Sequence, residues 1–166
     1  MDNRAEAVWI RGAAKADAEA VAECVADAYG HYEERIGRPP GPMVQDYHKV
    51  VRECDVFVAV ADQEIQGVLV LAQTREGFLL DNIAVNPGMQ GKGVGRALLE
   101  FAEQRARSAG YDSIYLYTNA LMSENRELYA RIGYKEYDRR SEQGLDRVYM
   151  RKSLPRGTVD ETAPDK

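Results

Sequence analysis

Val85-Asn86-Pro87-Gly88-Met89-Gln90-Gly91-Lys92-Gly93-Val94-Gly95-Arg96 is the stretch on which the reading of this chain turns. The apolar run FLLDNIAV (78–85) leads into it, and the amphipathic run VGRALLEFAEQRARSAG (94–110) leads out. A strand, a glycine-rich turn and a helix in that order make a cradle for a phosphate. Gly91, Gly93 and Gly95 carry no side chain to obstruct an anion and accept the dihedrals of a tight turn. The helix adds roughly half a positive charge at its start. No Ser, Thr, Asp or Asn lies between Met89 and Arg96 to cap the free N–H groups, which leaves them for a ligand. Arg96 in the first helical turn opposes the dipole by about 0.3–1 kcal/mol, and an external anion would reverse that sign. Glycine spacing alone leaves open a flexible loop ahead of an ordinary helix, with Arg96 solvated.

Two common phosphate motifs are absent. No Gly-Lys is followed by Ser or Thr, so there is no Walker loop. G-x-G-x-x-G fails from Gly91, where Arg96 takes the last place, and from Gly93, where Leu98 does. The pattern V-x-P-x-x-Q-x-x-G-x-G is present, with Val85, Pro87, Gln90, Gly93 and Gly95. It resembles the acetyl-CoA-binding signature of the GNAT superfamily of N-acetyltransferases. A second segment carries the same resemblance. Superfamily members often have N-x-x-L-Y-x-x-x-G-[FY] one helix and one strand further on, and Asn125, Leu128, Tyr129, Gly133 and Tyr134 match it.

The remaining sequence sets the frame. At 166 residues the chain is one domain with a tail, 1–153 and 154–166. Hydrophobic residues are 45% and charged residues 30%, the balance of a soluble globular protein. A net charge of −5 argues against nucleic acid as a partner and suits a cationic acceptor. Cys24 and Cys54 lack metal-ligand spacing and read as buried free thiols in a reducing compartment, so no metal is expected. No apolar run approaches the ~20 residues of a membrane span and no signal peptide is visible, which points to the cytoplasm.

Along the chain, residues 6–12 read as a strand and 14–29 as an alanine-rich helix. Gly37, Pro39, Pro40, Gly41 and Pro42 break the next stretch, and a second helix is expected over 43–53. DVFVAVAD, EIQGVLVLAQTR and FLLDNIAV are strands joined at Asp62-Gln63 and Glu76-Gly77. The next helix carries Val94, Leu98, Phe101, Ala102, Arg105 and Ala109 on one stripe and stops at Gly110. SIYLYTNA is a strand, SENRELYARIG a short helix, and 134–153 a closing hairpin. After Leu154 only Val159 is large and apolar, and a disordered tail is expected. The order β-α-α-β-β-β-α-β-α-β-β is that of an α/β (α+β) protein with a mixed, mostly antiparallel central sheet flanked by helices. It also matches the GNAT element order.

Acetyl transfer from a thioester to an amine needs an unprotonated nitrogen, donors for the oxyanion and a proton for the departing thiolate. The resemblance makes Tyr129 the general acid. A phenol near pKa 10 giving its proton to a thiolate near 8.5 is uphill by about 2 kcal/mol in water, and desolvating the thiolate would offset that. The resemblance also places the pantetheine arm on backbone groups of Ile83, Ala84 and Val85, and the pyrophosphate on the turn from Gln90 to Arg96, that is Gln90, Gly91, Lys92, Gly93, Val94, Gly95 and Arg96. Asn125 would bond the arm. The base is least legible: SIYLYTNA holds no acid, and Asp81 is the nearest, on a strand that the family bulges, so its face is unassigned. His31 and His48, with Tyr32, Arg35 and Tyr47, are candidates to line the acceptor site. The implied co-substrate is acetyl-CoA and the partner an amine-bearing acceptor, either a small molecule or a protein amine. A homodimer is compatible, since many members pair. A non-catalytic acyl-CoA-binding regulatory domain is the alternative.

Overall fold

The computed structural model describes residues 8–155. The strand expected over 6–12 is seen as β1, Trp9–Gly12. Residues 6 and 7, and 156–166 of the expected tail, lie outside the described residues. Leu154 is buried in the core and its N–H donates to Asp112 O at 2.7 Å.

β2 (Asp55–Ala61), β3 (Glu64–Thr74) and β4 (Gly77–Val85) form an antiparallel meander. The turn at Asp62 and Gln63 has φ of 51° and 63°, the two-residue hairpin geometry whose twist suits the flanking strands. β5 is Ser113–Asn119, β6 Lys135–Glu142 and β7 Leu145–Ser153. The seven strands lie in the order β1-β2-β3-β4-β5-β7-β6. All neighbours are antiparallel except β4 and β5.

Period-two alternation sorts the strand residues into two layers. Val56, Val58, Val60, Val68 and Val70 face α1 (Ala18–Tyr29), which contributes Val21, Cys24 and Val25. The short α2 (Glu33–Ile36) follows through one 3-10 turn and ends at Gly37, whose φ is 83°. α3 (Tyr47–Glu53) lies on the same face. Leu69, Leu71, Phe78, Leu80, Ile114 and Leu116 face α4 (Val94–Ser108) and α5 (Ser123–Arg131).

Four local expectations change. The helix expected over 43–53 begins at Tyr47, because Asp46 is its cap: Asp46 Oδ1 accepts the His48 N–H at 3.1 Å. Gly41–Val44 forms a separate 3-10 turn. The helix expected over 14–29 is likewise a 3-10 turn, Lys15–Asp17, followed by α1. The buried stripe of α4 is Val94, Leu98, Ala102 and Ala106, whereas Arg105 and Ala109 are exposed. Cys54 follows α3 exposed at the surface rather than buried as expected, while Cys24 is buried, which pushes its thiol up to about 11.

Gly67 on β3 sets how closely α4 approaches the sheet. A Cβ there would lie 2.8 Å from Leu98 Cδ1 and 3.0 Å from Val94 Cγ1. Both contacts belong to the first turns of α4, so this spacing also positions the glycine turn. Gly67→Ala is expected to lower unfolding free energy by about 1–3 kcal/mol through overpacking, read as a lower urea midpoint; an unchanged midpoint would show that α4 does not need this close approach.

Candidate active site

β4 and β5 are the only parallel pair among the described residues, and they are bridged at just two places, Phe78↔Ile114 and Leu79↔Tyr115. Beyond them the strands part, although β4 runs on to Val85 and β5 to Asn119. The parting begins at a bulge. Val70 pairs with Asn82 and Leu71 with Leu80, so Asp81 is the extra residue of β4. The bulge reverses the alternation: Phe78 and Leu80 face the α4 layer before it, Ile83 and Val85 after it. This is why the face of Asp81 is illegible from spacing.

Asn86 N–H donates to Gln66 O at 2.8 Å. By the alternation of an antiparallel ladder, Ala84 and Asn82 then spend their backbone groups on β3, and Ile83 and Val85 turn theirs toward the gap. Tyr29 Oη donates across the gap to Ile83 O at 2.8 Å, with Asn82 Oδ1 at 3.0 Å.

The gap opens at one end into a cleft of about 1020 Å³ bounded by the glycine turn. Gly91 and Gly93 have φ of 79° and 88°, and a Cβ on either would point into open space. Gly93 is the left-handed N-cap of α4 and no side chain caps the helix. The first intrahelical bond is Ala97 N–H to Gly93 O at 3.0 Å, so the N–H groups of Val94, Gly95 and Arg96 have no helical acceptor. Gln90 and Lys92 use their N–H groups in turn bonds of 3.3 Å to Pro87 O and Met89 O. Gln90, Gly91, Gly93, Gly95 and Arg96 line the cleft, whereas Val94 is buried beneath α4 and Lys92 is exposed outside it. Arg96 is held loosely by Glu100, Nε to Oε1 at 3.2 Å.

At the other end lies a smaller pocket of about 130 Å³. Tyr29, Ile83, Asn125 and Tyr129 border both spaces. Asn125 starts α5 facing this junction, its Nδ2 3.6 Å from Met122 Sδ. Tyr129 is buried, with its ring edge-on to Tyr134 at 5.6 Å. Its Oη has no protein partner among the described residues yet keeps accessible surface, unlike the sealed Tyr134 Oη. Burial pushes the Tyr129 hydroxyl well above the ordinary phenol range, with a smaller push from Tyr32.

Asp81 lines the small pocket. Burial raises its carboxyl above the ordinary range, against the opposing pull of the Tyr117 hydroxyl and Arg147. Tyr117 Oη donates to Oδ1 at 3.4 Å, and the Asp81 carboxylate makes no ion pair with any described residue. Burial beside this acid also pushes the Tyr117 hydroxyl up to about 12.

The expected acceptor wall is assembled differently. His31 and Tyr32 border the large cleft, His48 lies exposed on α3, and Arg35 pairs with Glu124 at the surface at 2.6 Å. Tyr47 is buried beneath the wall. The small pocket is walled instead by the proline loop, with Pro39, Pro40 and Pro42. Tyr29 and Asn82 join the site without a motif to mark them. Asn82 is buried in an apolar strand, which is itself a signal, because a buried amide needs partners. It accepts from Tyr29 and donates through Nδ2 to Tyr47 Oη at 3.2 Å, and Tyr47 Oη donates to Pro42 O.

Residues 52–136 match the model of the acetyltransferase (GNAT) domain. The chain belongs to the GNAT family. It is 32% identical over 101 residues to the uncharacterized N-acetyltransferase YvbK of Bacillus subtilis, an alignment spanning 60% of this GNAT chain and 63% of the relative. Solved structures share the fold. The ribosomal-protein-S18-alanine N-acetyltransferase of Escherichia coli superposes with a TM-score of 0.70 at 19% identity, covering 93% of this chain and 98% of that one. The PaiA N-acetyltransferase of Thermoplasma acidophilum, in complex with coenzyme A, gives 0.69 at 19% identity over 89% and 99%.

Among the described residues no helix is long and apolar enough to cross a membrane.

The Asn82 chain ties the bulge to the proline wall. Asn82→Ala is expected to cost about 1–3 kcal/mol, toward the lower end because Tyr29 and Tyr47 each keep a carbonyl acceptor. Urea unfolding and faster exchange of the Met43 amide would register it, and an unaltered wall would show that the chain is not what holds it.

Proposed function

We propose that the protein is an acetyl-CoA-dependent N-acetyltransferase that moves the acetyl group to a primary amine by direct attack in a ternary complex. The observation that carries this is the meeting of two unequal spaces at Tyr129 and Asn125, where β4 and β5 part. The large cleft has the dimensions for a nucleotide-bearing cofactor, and the small pocket for a compact acceptor.

Bound acetyl-CoA supplies the acetyl thioester. Its pyrophosphate is held by the uncapped N–H groups of Gly91, Gly93, Val94, Gly95 and Arg96, with the dipole of α4 behind them. Gln90 and Lys92 shape the turn and Lys92 adds positive charge beside it. Ile83 and Val85 offer free backbone edges to the amide-bearing arm, and Ala84 anchors them to β3. Asn125 is placed to bond the same arm at the junction.

Tyr129 Oη gives its proton on the sulfur side of the junction. Its raised affinity for that proton would hinder donation if the thiolate were hydrated. In the same buried site the thiolate is also desolvated and its own proton affinity rises, so the two shifts oppose each other. Asp81 takes the proton from the incoming amine in the small pocket, and its raised carboxyl is the stronger base for being buried. No cysteine borders either space, so a covalent route through Cys24 or Cys54 has no support.

Tyr129→Phe is expected to lower kcat about 10²–10⁴-fold, with acetyl-CoA affinity by calorimetry nearly kept. Unchanged kcat would remove the acid role, and tight acetyl-CoA binding without turnover of any amine would favour the non-catalytic binding domain.

A pH profile tests both groups. Asp81 is ionised only above its raised pKa, so kcat/KM should climb with pH through a value above the usual ~3.9 of an aspartate, and Asp81→Asn should abolish that limb. Tyr129 should contribute no loss near pH ~10, where an unperturbed tyrosine would ionise.

A further inference from the structure

The small pocket is unbalanced in charge. Arg147 borders it, but its Nη1 is paired with Glu142 Oε2 at 2.5 Å and its guanidinium lies over the Tyr117 ring, 4.7 Å from the centroid. Glu142 is in turn satisfied on its other oxygen by Tyr149 Oη at 3.1 Å. Glu142 therefore balances the arginine charge within the protein, although part of its field still reaches Asp81. Asp81 has no such counter-ion among the described residues, only the long bond from Tyr117 Oη. The rest of the lining carries no charge: apolar Ile36, Pro39, Leu80 and Leu116 alternate with neutral polar Gln45, Thr118 and Asn119.

A buried carboxylate without a cation is costly, and a ligand that brings one positive charge removes that cost. A second charge on the ligand would not be matched. A carboxylate would meet Asp81 and would have to share Arg147 with Glu142. A second ammonium would find no second carboxylate in the lining. Resting on the transferase reading, we infer that the acceptor is a small primary amine with a single positive charge on an uncharged, apolar body, its ammonium seated on Asp81. Free amino acids and diamines do not match this charge balance, and a compact body suits the smaller of the two spaces.

The test compares isoamylamine, leucinamide, leucine and putrescine as acceptors, with a leucine-initiated peptide as the macromolecular arm. Leucine and leucinamide differ in charge at nearly constant size. Thiol release at saturating acetyl-CoA should favour isoamylamine and leucinamide over leucine and putrescine by about tenfold or more in kcat/KM. In calorimetry on the coenzyme A complex, Asp81→Asn should erase the preference against leucine while leaving acetyl-CoA affinity unchanged. Equal or better turnover of leucine, putrescine or the peptide would overturn the inference. Calorimetric titration of isoamylamine and leucine into the coenzyme A complex reads the same preference without chemistry. If that preference is present and no amine releases thiol, the transferase reading fails and the pocket assignment stands; if leucine binds as well as isoamylamine, the pocket assignment fails.

Discussion

Two parallel strands that stay paired for only two rungs govern this molecule. Backbone groups buried without partners cost free energy, so a sheet opens only where something enforces the opening and something else satisfies the edges. Here the bulge at Asp81 diverts β4, and β7 holds β5 along its whole length from Ser113↔Ser153 to Asn119↔Arg147. Tyr29 reaches across from α1 and supplies one donor to the exposed edge at Ile83. The edges that remain are the ones an extended, amide-bearing ligand would complete.

The same burial acts on four titratable groups in and behind the opening. It raises Tyr129, Asp81, Tyr117 and Tyr47 alike, because each would have to hold a negative charge away from water. A tyrosine so treated is a poorer acid and an aspartate a better base. A site of this kind favours proton movement only when the partner groups share its dryness. The exposed Arg35–Glu124 and Arg96–Glu100 pairs at the rim are screened and contribute little to that balance.

Much of the architecture is legible because its signals are local. Alternating valines in β2 and β3, the Asp62-Gln63 turn, the glycine stop after α4 and the uncapped start of that helix can all be seen in the residues themselves. The Asp46 cap is local too, although the residues from Met43 onward also suit a longer helix. The site is harder because its decisive events are long-range. A bulge moves Asp81 without any local mark, and the partners of Asn82 come from residues 29 and 47. The histidines draw attention by their chemistry, yet the small pocket is walled by prolines that in the sequence read only as breakers. Cys54 shows the same limit: its exposure depends on where α3 ends, not on its own apolar character.

The placement of β7 bears on how the protein is made. β5 touches β4 at two rungs, so nearly all of its hydrogen bonding comes from the strand synthesised last in the sheet. A chain emerging from the ribosome can assemble the β2–β4 meander and lay α4 on it, but β5 then lacks its lasting neighbour until Ser153 is in reach. Pairing of this kind spans many residues and forms slowly. The opening between β4 and β5 is therefore completed late in folding, and a nascent chain would hold the glycine turn well before it has a second wall to face it.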